Sequence, residues 1–127
     1  MSAARNDRGL ILFAHGAREV AWAAPFEAVA ARVRAERHGW HVVLAYLELM
    51  QPALPAAAAS LVQAGCTRVD IVPMFLGSGG HVRRDLPLLV QQLRDRHPAV
   101  QWSLHGAIGE HPDVIDAMAL AALDDTD

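Results

Sequence analysis

The chain has 127 residues, is 53% hydrophobic and carries a formal net charge of −3, which suits one domain burying about two thirds of its unfolded surface. Such a balance has no basic footprint for nucleic acid. All 11 basic residues are arginine, which excludes a lysine Schiff base and a Gly-Lys-Ser/Thr nucleotide loop.

Strand and helix patterns alternate along the whole sequence. After a polar opening (residues 1–8), residues 10–14, Leu-Ile-Leu-Phe-Ala, read as a buried strand. Residues 22–37 step at three and four positions through Trp22, Phe26, Val29 or Ala30, and Val33, the period of a helix. Pro25 falls in its first turn, and Gly39 in the left-handed position beyond its end. A second strand covers 40–45 and a loop 46–51. Pro52 or Pro55 opens the next helix, whose apolar face holds Leu54, Ala58, Leu61 and Val62, and Gly65 closes it.

Residues 68–74 form the third strand. A glycine loop follows, and Asp85-Leu86-Pro87 reads as an N-cap with proline just inside a helix running to about residue 96. Residues 101–105 are a short fourth strand. Residues 112–123 are a last helix that turns Val114, Ile115 and Met118 inward. The βαβαβαβα order predicts a single α/β domain over 9–123, with a four-stranded, mainly parallel sheet and helices on both faces; 124–127 form a tail. Residues 1–9 lack the apolar core of a signal peptide, and no apolar run approaches the ~20 residues that span a bilayer. Cys66 is the single cysteine, which excludes an internal disulfide and a Cys-x-x-Cys site. The expectation is a soluble, cytoplasmic protein with no membrane or nucleic-acid partner.

Ligands of open α/β sheets bind outside the carboxyl ends of the strands, and each of the four loops there carries titratable groups. The first has His15 and Arg18, the second Glu48, the third His81, Arg83, Arg84 and Asp85, and the fourth His105, Glu110 and His111. Imidazole with carboxylate is a ligand set for cobalt, nickel, iron or zinc. Glu48 is flanked by Leu47, Leu49 and Met50, and a charge in an apolar loop usually has a partner. Gly79 and Gly80 allow close backbone approach to a phosphate or to a flat ligand. Arginines beside such a crevice clamp carboxylates by paired charge-assisted hydrogen bonds. His38, His41 and His97 fall at strand starts or helix ends and read as solvated, as do the polar surroundings of His105 and His111.

Three stretches carry a family resemblance: Leu12-Phe13-Ala14-His15-Gly16-Ala17-Arg18, Glu48-Leu49-Met50-Gln51-Pro52, and residues 72–87 around Gly77-Ser78-Gly79-Gly80-His81. With these the chain resembles the small, CbiX-type sirohydrochlorin cobaltochelatases, class II tetrapyrrole chelatases. The resemblance implies a chelatase-like fold, half of a flavodoxin-like arrangement. It also implies ATP-independent insertion of a divalent metal, usually Co2+, into sirohydrochlorin on the route to cobalamin. On this resemblance His15 and His81 take the places of two active-site histidines that bind the metal, and Glu48 that of their acidic partner, as ligand or proton acceptor. Arg18, Gly79, Gly80, Arg83 and Arg84 then face the tetrapyrrole. Ala17 stands where the family usually has serine, which removes a hydroxyl near the site. Longer members carry two copies of the unit, so a homodimer is expected here, with the Ala-rich stretch 53–59 as one surface for it.

Ferrochelatase or nickel-chelatase activity on the same substrate is the alternative, since the donor types do not select among these metals. A phosphohistidine-type hydrolase also places His-Gly after its first strand, but looks for arginine at the position of Ala14. A non-catalytic metal- or tetrapyrrole-binding protein would use the same crevice.

Overall fold

The computed structural model describes residues 7–77 and 79–126, apart from the side chains of His81 and Thr126. The elements in chain order are β1 (Arg8–Ala14), a 3-10 turn (Val20–Ala23), α1 (Ala24–Glu36), β2 (His41–Tyr46), α2 (Leu54–Gln63) and β3 (Arg68–Pro73). Then follow α3 (Gly80–Arg96), β4 (Gln101–Leu104), a second 3-10 turn (Ile108–Glu110) and α4 (Pro112–Thr126). The sheet is fully parallel in the order β2-β1-β3-β4. Its order reverses between β1 and β3, so the crevice outside their carboxyl ends is the place where such sheets bind ligands.

Alternation along the strands divides the core. Ile11, Phe13, Val69, Ile71 and Trp102 pack with the inner faces of α2 and α3. Leu10, Leu12 and Val42 point the other way, onto Ala30 and Val33 of α1. Helices thus flank both faces, as the alternating pattern predicted. Pro25 does sit in the first turn of α1. Gly65, at φ +95°, ends α2: its N–H bonds the Val62 carbonyl and that of Cys66 the Leu61 carbonyl, both at 3.0 Å, a Schellman termination. Gly39 has no such role, because the left-handed glycines among the described residues are Gly16 and Gly65; α1 stops at Arg37, whose N–H returns to the Val33 carbonyl.

Two expectations need correction. α3 begins at Gly80, so Asp85 is not its cap and Pro87 lies inside it. The core stripe of Val82, Leu86, Val90 and Leu93 already starts one turn before the proline. Pro87 cannot donate to the Arg83 carbonyl, but both residues are exposed, so water can reach that end of the ladder. Second, α4 does not turn its apolar residues inward: Val114 is half-buried, while Ile115 and Met118 are exposed. Among the described residues, no side chain of α4 enters a core cluster. Within the Ala-rich stretch, Ala57 and Ala58 are buried against the sheet, whereas Ala53 and Ala56 are exposed and Ala59 is half-buried.

Both outer strands are blunted in one way. The Arg34 guanidinium donates to the Val42 carbonyl at 2.7 Å, and that of Arg94 donates to the Trp102 carbonyl at 3.3 Å. Each arginine lies on the helix that leads into the strand it covers, eight residues upstream.

Candidate active site

Parallel pairing of β1 with β2 runs on past the strands. The Leu47 N–H bonds the Ala14 carbonyl at 2.9 Å and the Glu48 N–H bonds that of His15 at 3.0 Å. This draws the second loop across the end of the first, and Gly16 makes the approach possible. Its φ is +97°, and a Cβ there would run into the Glu48 backbone carbonyl, so no side chain fits without moving the loop. Met50 N–H then closes on the Glu48 carbonyl at 2.8 Å. Leu49, between them, is held at φ 68°, a left-handed conformation uncommon for a non-glycine residue.

The product of this packing is a side-chain pair: His15 Nε2 lies 2.8 Å from Glu48 Oε2, with both side chains rather more than half exposed. The partner expected for Glu48 is therefore His15. When Nε2 carries the proton and donates it to the carboxylate, Nδ1 keeps a free lone pair; a carboxylate commonly orients a metal-binding histidine in this way.

His81 is the second residue of α3. Its backbone stands on the same edge, in the helix that follows β3, and β3 is the neighbour of β1; its side chain is outside the described residues. Among the described residues no three His, Cys, Asp or Glu side chains gather closely enough to hold a metal ion. His15 with Glu48 is thus a two-donor site as far as it is described. Gly79 is the N-cap of α3 and Gly80 its first residue. Arg18, Arg83 and Arg84 are all exposed. Leu47, Leu49 and Leu76 are exposed on the second and third loops, which gives this edge an apolar rim.

The third loop is fixed by the fourth. Gly109 N–H bonds the Phe75 carbonyl at 2.9 Å, and a Cβ at Gly109 would strike the Leu76 backbone. Between the start of α3 and the fourth loop lies a cavity of about 330 Å3, lined in part by Phe75, Val82, Leu86 and Leu104, with Arg83 and Glu110 also on its wall.

His105 pairs with a different carboxylate. Its Nε2 is 2.9 Å from Asp70 Oδ1, while Arg8 donates to Asp70 Oδ2 at 2.9 and 3.2 Å. Burial alone would raise the Asp70 carboxyl, but hydrogen bonds from His105 and Arg8, together with their charges, hold it below the ordinary value. Sequence reasoning passed over Asp70, although a carboxylate between Val69 and Ile71 in a buried strand signals a partner. His111 Nδ1 accepts the Asp113 N–H at 3.1 Å in the turn that opens α4. His38 is exposed as expected. His41 and His97 are half-buried, the latter against Trp102 at 6.0 Å between ring centroids. Cys66 is buried and its thiol is pushed up by burial and by nearby Asp7, which disfavours the thiolate a metal would need.

The CbiX family model matches residues 9–123. The chain belongs to the CbiX family. Of its relatives in this family, the sirohydrochlorin cobaltochelatase of Methanocaldococcus jannaschii is 32% identical over 89 residues, 69% of this chain and 62% of that protein. The sirohydrochlorin ferrochelatase of Bacillus subtilis is 28% identical over 75 residues, 59% of this chain and 29% of that protein. The matches thus span less than two thirds of either relative, and the Bacillus protein is about twice as long as this chain. A CbiX cobalamin-biosynthesis protein from Marinobacter aquaeolei superposes with a TM-score of 0.81 at 28% identity, covering 94% of this chain and 97% of that one.

Proposed function

We propose that this CbiX-family chain inserts a divalent metal, Co2+ foremost, into sirohydrochlorin without ATP, in the making of cobalamin. The observation that carries the reading is the His15–Glu48 pair on the carboxyl edge of a CbiX sheet, next to the helix that brings in His81. Relatives bear both cobaltochelatase and ferrochelatase names, and imidazole with carboxylate suits Co2+, Fe2+ and Ni2+ alike. Cobalt is therefore a choice for experiment.

The chemistry asked of the site is limited. Insertion forms bonds from the ring nitrogens to the metal and breaks two pyrrole N–H bonds, releasing two protons. His15 presents Nδ1 to the incoming ion while Glu48 fixes its ring and takes up one of the two protons, the other leaving to solvent. His81 supplies the second imidazole from the start of α3. The leucine rim of the loops accepts the flat ring, and Arg18, Arg83 and Arg84 answer its carboxylate arms. Gly79 and Gly80 keep the backbone thin where the ring lies. Closure of the chelate drives the reaction, so no nucleotide is required. A homodimer in the cytoplasm completes the reading, two copies matching the doubled length of the Bacillus relative. No described helix is long and apolar enough to cross a membrane.

The test is anaerobic metal insertion into sirohydrochlorin by the purified protein, followed by absorbance against the spontaneous rate, with Co2+, Fe2+ and Ni2+ in parallel. Acceleration with Co2+ that vanishes in His15→Ala is expected. Binding of the tetrapyrrole without acceleration for any metal would make the protein a carrier and overturn the proposal.

A further inference from the structure

Asp85 is not the cap its sequence suggested, and its burial asks for another role. It is the sixth residue of α3, whose N-cap is Gly79. It therefore lies beyond the first turn, where a carboxylate serves unpaired N–H groups and the helix dipole. Yet it is half-buried. It borders a small cavity of about 30 Å3 together with Phe13, Leu47, Val82, Leu86 and Leu89. Every other side chain of that lining is a hydrocarbon, and a carboxylate drawn into such a place requires a polar partner.

Helical geometry narrows the choice. Neighbours on a helix surface stand three and four positions apart. For Asp85 these are Val82 and His81 on one side, Leu88 and Leu89 on the other, and only His81 is polar. Arg83 and Arg84 are nearer in sequence but project from other faces of the helix. The Cα–Cβ bonds of a helix tilt toward its N-terminus, so the later member of such a pair leans over the turn that bears the earlier one. The cavity also fixes where this turn lies. Phe13 precedes His15 by two residues and Leu47 is next to Glu48. Asp85 thus stands where α3 meets the end of β1 and the second loop, which bear the His15–Glu48 pair.

We infer that Asp85 is the positioning residue of His81: its carboxylate accepts the N–H of the imidazole and leaves the lone pair of the other ring nitrogen for the metal. The inference rests on the proposed reading of His81 as a metal-binding imidazole, and it gives both halves of the site one plan. His15 is set by Glu48 of the neighbouring loop, at 2.8 Å; His81 is set by a residue of its own helix, one turn on. The local sequence shows the need. Gly77, Gly79 and Gly80 precede His81 and offer no side chain to hold a ring, so restraint comes from the turn that follows. A neutral imidazole can carry its proton on either nitrogen, and a fixed acceptor selects one form and one ring orientation before the ion arrives. Asp85 itself touches neither metal nor tetrapyrrole.

The test centres on Asp85→Leu, because leucine suits the apolar lining and should keep the fold, as read by thermal unfolding. Co2+ binding to the protein alone, measured by titration calorimetry, should weaken by about 10–100-fold in this variant. Turnover in metal insertion should fall with it while KM for sirohydrochlorin stays unchanged. Asp85→Asn keeps an oxygen for the ring N–H and should lie between the natural protein and Asp85→Leu. In a His81→Ala background, Asp85→Leu should weaken Co2+ binding no further. Two-bond proton–nitrogen correlation spectra of the metal-free protein, at a pH where imidazole is neutral, should show His81 in one tautomer naturally and in a mixture in Asp85→Leu. Unchanged Co2+ affinity and tautomer in Asp85→Leu, or an equal loss of affinity with and without His81, would overturn the inference. Failure of the natural protein to accelerate insertion would instead reject the proposed reaction, and metal affinity and tautomer would still decide the role of Asp85.

Discussion

Replacing Gly16 by alanine should injure stability and activity together, and the two left-handed glycines allow the causes to be separated. At Gly65, φ is +95° but nothing stands within 4 Å of the position a Cβ would take. Gly65→Ala therefore meets only the backbone penalty, about 1–2 kcal/mol. At Gly16 the penalty is the same, and the new methyl also meets the Glu48 carbonyl. The second loop must retreat, and with it go the bonds from Leu47 N–H to the Ala14 carbonyl and from Glu48 N–H to that of His15. At about 0.5–1.5 kcal/mol each, they bring the total for Gly16→Ala to roughly 2–5 kcal/mol. For a chain of this size that lowers Tm by about 7–19 °C. Retreat of the loop also parts Glu48 from His15, so chelation should fall more than tenfold in Gly16→Ala and stay near normal in Gly65→Ala. Thermal unfolding and insertion assays on both variants make the comparison. Equal destabilisation by the two substitutions, with activity intact in both, would refute the claim that Gly16 exists to admit Glu48.

Asp70→Asn should cost about 1–2 kcal/mol, a charge-assisted contact discounted for partial exposure. The Asp70 carboxyl is depressed in the folded state, so its contribution is complete above the unfolded carboxylate value and is lost as pH falls through the lower folded one; urea unfolding at neutral and strongly acid pH should show the difference between natural protein and variant shrinking at the acid end. Glu48→Gln keeps the shape of the pair with His15 but removes its charge, and turnover should drop by about 10²-fold or more if Glu48 takes a proton, with tetrapyrrole binding, read by fluorescence quenching, largely kept. Leu49→Gly relieves a left-handed leucine and should stabilise the fold by up to about 1 kcal/mol in thermal unfolding, while KM for the tetrapyrrole rises because the rim loses an apolar side chain.

Strands were legible because each is a short run of branched and aromatic residues between turn signals, and the parallel order followed from the helices between them. The start of α3 was not, because Asp85-Leu86-Pro87 imitates a cap so well that the stripe beginning at Val82 was overlooked. Helical period marked α4 as a helix, but its apolar residues do not turn inward, because period names a face without naming what covers it. Glu48 was recognisable as a charge that needs a partner; that the partner is His15 depends on parallel pairing continuing past β1 and on the absent side chain of Gly16, both contacts across more than thirty residues. Asp70 broke an apolar strand in plain view, and the same reasoning about lone charges would have led to Arg8 and His105.

The arginines at the two outer strands, Arg34 on Val42 and Arg94 on Trp102, bear on how large an assembly can grow. A bare strand margin is a template that recruits another margin, and each recruit offers a fresh one, so growth has no natural end. Here a cation from the preceding helix occupies a carbonyl on each margin. Ribbon-like growth is hindered at both ends, which leaves the faces of the sheet as the surfaces through which a closed, two-fold arrangement would be built.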